Sequence, residues 1–128
     1  ARQRMLGMAI DNPYAHALAG AMERCARESL GPVAIYGFGA HTRIGGNALC
    51  QPRVPIDCII DDNPAHHGAS AWNIPVVSPA AALRRGIKAI ILSAIAVEDE
   101  LWASAQIFRE AGIPVIRLYE PARTPVNA

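Results

Sequence analysis

The run Gly37-Phe38-Gly39-Ala40-His41-Thr42 is the stretch of this chain whose residue types and spacing point most directly to chemistry. Two glycines one residue apart permit a tight turn and a close approach of backbone to a ligand. A helix starting behind them presents free N–H groups and the positive end of its dipole, which stabilises a phosphate without any lysine. The dinucleotide pattern G-x-G-x-x-G would have a third glycine where Thr42 stands, so the fingerprint is incomplete. A lone G-x-G also serves many domains only as a strand-to-helix corner.

Asp61 and Asp62 follow the second predicted strand, where a carboxylate accepts hydrogen bonds from a ribose diol. Asp61 is the first choice for that role and Asp62 the alternative; the other reading is a solvated turn whose side chains bind their own backbone. His41 could donate to a phosphate or a sugar hydroxyl, or cap the turn. Ser93 ends the central strand and is expected beside the crevice, and Arg43 either reaches a phosphate or stays on the surface. His66-His67 lies near Asp61 and Asp62, but adjacent histidines on an extended loop point apart and no third ligand has a recognisable spacing, so no metal is expected. Ser78 reads as a helix cap, since no nucleophile elbow surrounds it.

These residues need elements to position them. Asp11-Asn12-Pro13 is an N-cap with proline at the first helical position. Tyr14, Leu18, Ala21, Met22 and Cys25 then form one apolar stripe, with Glu23, Arg24, Arg27 and Glu28 opposite and Gly31-Pro32 as the expected stop. Short apolar runs predict strands at 33–36, 56–60, 74–77, 88–93 and 114–118, the first buried on both faces and the third at an edge or starting at its proline. Helices are expected over 42–50 (packing through Ile44, Ala48 and Leu49, though weakened by Gly45-Gly46), from Ser78-Pro79 through Leu83 to Gly86, and over 97–111 with Leu101, Ala105 and Phe108 inward. Residues 63–73 read as a polar, turn-rich loop. Alternating strands and helices with right-handed crossovers give an α/β fold: a small doubly wound, Rossmann-like sheet of five parallel strands in the order 3-2-1-4-5, helices on both faces and an N-terminal helix.

Composition bounds the rest. The 128 residues suit one core, and a charged fraction of 18% with 52% hydrophobic residues excludes a disordered tail. A net charge of +1 lacks the basic footprint of a non-specific nucleic-acid binder, and no apolar run is long enough to span a membrane. Alanine supplies 24 residues and aromatics only 5%, so the core packs small side chains closely. Cys25, Cys50 and Cys58 are odd in number, lack C-x-x-C spacing and lie in apolar segments; all three are expected to be buried free thiols in a reducing cytoplasm. The organisation expected is an N-terminal helical segment at 1–30 packed on the domain, a nucleotide-binding domain at 31–119 and a flexible tail at 120–128. Beginning at Ala1 and ending in a soft tail, the chain reads as a piece of a longer protein.

The stretches Ile35-Tyr36-Gly37-Phe38-Gly39-Ala40-His41-Thr42, Ile59-Ile60-Asp61-Asp62-Asn63-Pro64, Ile74-Pro75-Val76-Val77-Ser78-Pro79 and Ile113-Pro114-Val115-Ile116-Arg117-Leu118-Tyr119 resemble a Rossmann-like bacterial domain. It is similar to the N-terminal nucleotide-sugar-binding part of bacterial sugar acetyltransferases and to accessory domains of sugar-modifying methyltransferases, over about residues 31–119. The resemblance implies that Gly37, Gly39, His41 and Asp61 contact a nucleotide-sugar. In those acetyltransferases acetyl transfer belongs to a separate β-helix of hexapeptide repeats, which this sequence lacks. No methyltransferase signature accompanies the glycine loop.

The reading that follows is a nucleotide or nucleotide-sugar binding module, not catalytic on its own, accessory to a transferase in the same or another chain. Its site is expected at Gly37, Phe38, Gly39, Ala40, His41, Thr42, Asp61, Asp62 and Ser93, with a UDP-linked sugar or NAD(P) as ligand. A second reading is an interaction or homo-oligomerisation domain with a vestigial nucleotide site, pairing through Ala-rich helices and an exposed Trp72. A third is an NAD(P)-dependent oxidoreductase-like protein, disfavoured because Lys88 is the only lysine and no Tyr–Lys pair has catalytic spacing.

Overall fold

In the computed structural model, which describes residues 12–119, the first helix (α1, Pro13–Arg27) starts as its cap predicts. Asn12 Oδ1 accepts the Ala15 N–H at 3.1 Å, and Leu18, Ala21, Met22 and Cys25 are buried. It ends before Gly31-Pro32. Ser29 takes the left-handed conformation at φ 57°, the Leu30 N–H reaches back to the Cys25 carbonyl at 2.9 Å, and the Ser29 N–H reaches Ala26 at 3.2 Å. This is a Schellman closure with serine where glycine is usual. Asp11 and the tail at 120–128 lie outside the described residues.

The strands are β1 (Val33–Tyr36), β2 (Ile56–Ile60), β3 (Ser70–Ala71), β4 (Ile74–Val77), β5 (Ala89–Leu92) and β6 (Val115–Arg117), in the order β3-β4-β2-β1-β5-β6. All pairings are parallel except β3 with β4, so the five expected strands stand in the expected order with an added antiparallel edge. That edge corrects the reading of 63–73 as loop. Pro64–His66 forms a 3-10 turn, and Trp72 and Asn73, at φ 52° and 63°, make the two-residue turn of a β3–β4 hairpin. Both central residues of such a turn need positive φ, which matches the twist of the flanking strands.

Every residue of β1 and β5 is buried. Alternation still sorts them onto two faces, because successive side chains on a strand point oppositely. Val33, Ile35, Ile59, Val76 and Ile91 pack under α1, against Leu18, Met22 and Cys25. Ala34, Tyr36, Cys58, Ile60, Ile90 and Leu92 pack on the other face, against Ala82, Ala105 and Phe108. The doubly wound, Rossmann-like architecture is thus explicit in the topology.

The remaining helices are short: α2 (Ala40–Gly45) running into a 3-10 turn (Gly46–Leu49), α3 (Pro79–Ala82), α4 (Glu98–Ser104) and α5 (Gln106–Glu110). Ser78 caps α3 through its Oγ, which accepts the Ala81 N–H at 3.1 Å. The expected helix over 97–111 is interrupted at Ala105, where ψ is 3°. There the Arg109 guanidinium takes the Trp102 carbonyl at 2.5 Å and lies over the Trp102 ring.

The segment 42–50 packs differently from its hydrophobic pattern. Ile44 is 56% exposed, while Gly45 and Gly46 are buried. A Cβ on Gly45 would lie 3.1 Å from the Ala15 nitrogen, and one on Gly46 only 1.9 Å from the Trp72 ring. The glycines that looked like a weakness are where α1 and Trp72 come closest. Trp72 is therefore half-buried, with its edge toward Phe38, and is not the exposed docking residue of the oligomer reading. Among the cysteines, Cys25 and Cys58 are buried and Cys50 is exposed, which corrects the expectation of three buried thiols. No helix among the described residues is long and apolar enough to cross a membrane.

Gly46 sits at φ −61°, so alanine there would ordinarily help the helical turn; the Trp72 ring reverses that sign. Gly46→Ala is expected to lower stability by about 2 kcal/mol in urea unfolding, since overpacking costs about 1–3 kcal/mol. Thiol titration of the native protein is expected to modify Cys50 at once. Cys25 and Cys58 should react only on unfolding, because burial raises both thiols and, with Asp57 beside it, pushes Cys58 up to about 12.

Candidate functional site

Strand β1 ends in a turn that only glycine makes easily. Gly37 has φ 114°, and a Cβ there would stand 3.0 Å from the Ser93 carbonyl oxygen. Its N–H donates to Ile60 O at 2.7 Å, which ties the turn to the end of β2. Gly39 differs: it caps α2 without a side-chain bond, and a Cβ on it would meet nothing within 4 Å. The chain leaves β1 toward β2 on one side and later returns to β5 on the other, so the order reverses between β1 and β5. Ligands of open α/β sheets bind outside the carboxyl ends of the strands at such a point.

A cleft of about 490 Å³ lies there. Of the residues expected at the site, Gly37, Phe38, Gly39, Ala40, His41, Asp61 and Ser93 line it. Its remaining wall comes from Tyr14, Ile44, Leu101 and the segment 94–97. Thr42 and Asp62 are not in the lining. Thr42 is fully buried behind the turn, and Asp62 accepts the Tyr36 hydroxyl at 2.6 Å, a side chain belonging to the opposite face of the sheet. Burial, with the Asp62 bond after it, raises the Tyr36 hydroxyl well above its ordinary value.

Behind the cleft wall runs a chain of polar contacts. Thr42 Oγ1 is 2.5 Å from Gly37 O and 2.7 Å from Ser93 Oγ; Ser93 Oγ is 2.7 Å from His41 Nδ1; His41 Nε2 is 2.6 Å from the Tyr119 hydroxyl. A carbonyl only accepts, so Thr42 must donate to Gly37. With a neutral imidazole, the other protons then have one order: Ser93 donates to Thr42, His41 Nδ1–H to Ser93, and Tyr119 to His41 Nε2. Ser93 therefore gives its proton away from His41 and is not set up as a nucleophile. The imidazole stacks on Tyr14, with ring centroids 4.6 Å apart, and burial lowers its pKa, a neighbouring Glu98 opposing in part.

Glu98 is the hidden support of this chain. It is 3% exposed, and its Oε2 accepts the backbone N–H groups of Leu118 and Tyr119 at 2.9 and 3.0 Å while Arg117 approaches Oε1 at 3.4 Å. That holds the segment after β6 where Tyr119 reaches His41. Burial first, then the neighbouring Tyr14 and Glu98, raises the Tyr119 hydroxyl above its usual value. Sequence reasoning missed Glu98 and Tyr119 and placed Tyr14 only in an apolar stripe. The acidic run Glu98-Asp99-Glu100 in a first helical turn was the one available signal.

Asp61 is engaged on several sides. Its Oδ1 accepts the Phe38 N–H at 3.1 Å, and its Oδ2 accepts from Asn63 N–H at 3.2 Å and His66 Nδ1 at 2.7 Å. His67 Nε2 donates to the Asp61 carbonyl at 2.7 Å, so both histidines brace this turn. Arg43 lays its guanidinium 4.5 Å over the Phe38 ring and donates to the Phe38 carbonyl at 3.1 Å.

No protein-family model and no curated protein matches the chain. A solved structure, UDP-D-quinovosamine 4-dehydrogenase from Vibrio fischeri, is similar to it at 18% sequence identity over 66% of this chain and 75% of that one, with a TM-score of 0.49. The doubly wound assignment rests on the strand order itself; nothing among these matches singles out sugar acetyltransferases or methyltransferases.

A lowered folded pKa for His41 means that below about pH 6.5 the unfolded chain binds more protons than the native one, so stability is present above that pH and lost as pH falls toward the folded value. The urea midpoint of the native sequence is expected to fall more steeply between about pH 7 and pH 5 than that of His41→Gln, whose slope lacks this contribution.

Proposed function

We propose that this chain is a binding module that holds a nucleotide-type small molecule, a nucleotide-sugar in particular, for a sugar-modifying transferase domain carried in the same or another chain. One observation carries the reading: Gly39, a glycine the local packing does not require, opens onto the cleft where the strand order reverses. A Cβ at that position would meet no atom within 4 Å, and the residue itself lines the cleft. In this reading Gly37, Phe38, Gly39, Ala40, His41, Asp61 and Ser93 form the contact surface within a binding domain at 31–119. Thr42 and Asp62 act indirectly, Thr42 by holding the turn and Asp62 by anchoring Tyr36.

A second reading has its own support. Ile44, Ile95 and Val97, exposed by 56%, 46% and 43%, all stand in the cleft wall, so the mouth presents an apolar rim. Such a rim suits an interaction or oligomerisation surface as well as a ligand.

Thermal shift with UDP-sugars, NAD(H), NADP(H) and coenzyme A separates the two. A UDP-sugar is expected to stabilise the chain, by about 2.7 kcal/mol at 100 times its Kd. Gly39→Val should fold with a loss under about 1 kcal/mol, the scale of cap substitutions, and lose the shift. Absence of any shift, together with a concentration-dependent dimer dispersed by Ile95→Asp, would favour the interaction domain.

A further inference from the structure

The two halves of the dinucleotide fingerprint satisfy one another here. Asp61, placed where a carboxylate takes a ribose diol, instead accepts the Phe38 N–H of the glycine loop, with Asn63 and His66 on its other oxygen. The Gly37 N–H is held by Ile60 O. The first two loop N–H groups and the acidic side chain are thus paired before any ligand arrives. Freeing a buried donor or acceptor costs about 1–3 kcal/mol.

The charge of the wall points the same way. Among the described residues that line the cleft there is no lysine or arginine, and the carboxylate is Asp61. Arg43, in the adjoining helix, is committed to the Phe38 ring and carbonyl. His41 has both ring nitrogens engaged, with Ser93 and Tyr119. The other side chains of the wall, Tyr14 aside, are apolar: Ile44, Ala94, Ile95, Ala96, Val97 and Leu101. A diphosphate in such a place would leave water to face a carboxylate with no side-chain counter-charge, and an unpaired buried charge is strongly unfavourable.

We infer that the cleft selects the uncharged part of its ligand, taking a nucleoside-like base and sugar between apolar walls and leaving phosphates in solvent. This inference rests on the nucleotide-type reading proposed above. It differs from the usual glycine-loop arrangement, in which the pyrophosphate sits on the loop.

Calorimetric titration of the whole chain with uridine and adenosine, against UDP and ADP, at low and high salt, tests it. Nucleoside and diphosphate are expected to bind within about threefold of each other, with little change on adding salt, because no charge pair is there to be screened. Ala96→Lys, at an exposed position of the wall, should raise UDP affinity about tenfold and leave uridine within about twofold. Asp61→Asn should favour UDP over uridine in the same direction. Diphosphates binding the native chain ten or more times tighter than nucleosides, with a steep salt dependence, would overturn this inference and leave the binding-module proposal standing. Failure of all four compounds to bind would overturn this inference, and the binding-module proposal would fall with it only if the UDP-sugars and dinucleotides also gave no thermal shift.

Discussion

At Gly37 the backbone turns through φ 114° with its N–H on Ile60 and a neighbouring carbonyl, that of Ser93, where a side chain would otherwise go. Thr42 closes the turn from behind by donating to the Gly37 carbonyl. The ends of β1, β2 and β5 are thereby fastened together, Gly37 bonding Ile60 while the Ser93 N–H bonds the Tyr36 carbonyl and Thr42 links Gly37 to Ser93. The cleft exists because this corner is tight.

Elements distant in the chain converge on that corner. Helix α1 brings Tyr14 against His41, and its close approach depends on Gly45 having no side chain. From the other end, buried Glu98 fixes the backbone of Leu118 and Tyr119 so that the Tyr119 hydroxyl meets His41. The imidazole is held on two sides and stacked on a third, which makes it a structural post of the wall more than a free acid or base. Trp72, strained at φ 52°, contributes by covering Gly46 and standing perpendicular to the Phe38 ring. A left-handed tryptophan persists only where packing over-determines it.

Much of this was legible beforehand. The strands at Val33–Tyr36, Ile56–Ile60 and Ile74–Val77 and the caps at Asn12 and Ser78 follow from apolar runs and from Asx or serine before proline. The glycine loop and the cleft it lines could be anticipated because crossover handedness leaves few topologies for alternating strands and helices. The hairpin at Ser70–Val77 was not legible: neither Trp72 nor Asn73 is glycine, so the usual signal for positive φ was missing. The break at Ala105 was hidden as well, because nothing in the apolar pattern marks it; there the Arg109 side chain takes the carbonyl of Trp102, seven residues back.

The sequence by itself determined the class of fold, the strand order and the place of the glycine turn, since these depend on local periodicity, capping and the φ that glycine permits. What each polar group near the turn does was decided only in three dimensions. Asp61 pairs with Phe38, Asp62 with Tyr36, and Ser93 with Thr42 and His41. Those pairings join residues far apart in the chain, and a buried donor or acceptor takes whichever partner folding brings within reach. Residue type and spacing could mark Asp61 as a carboxylate at the right strand end. Only the tertiary structure could show that the partner already waiting for it was the glycine loop itself.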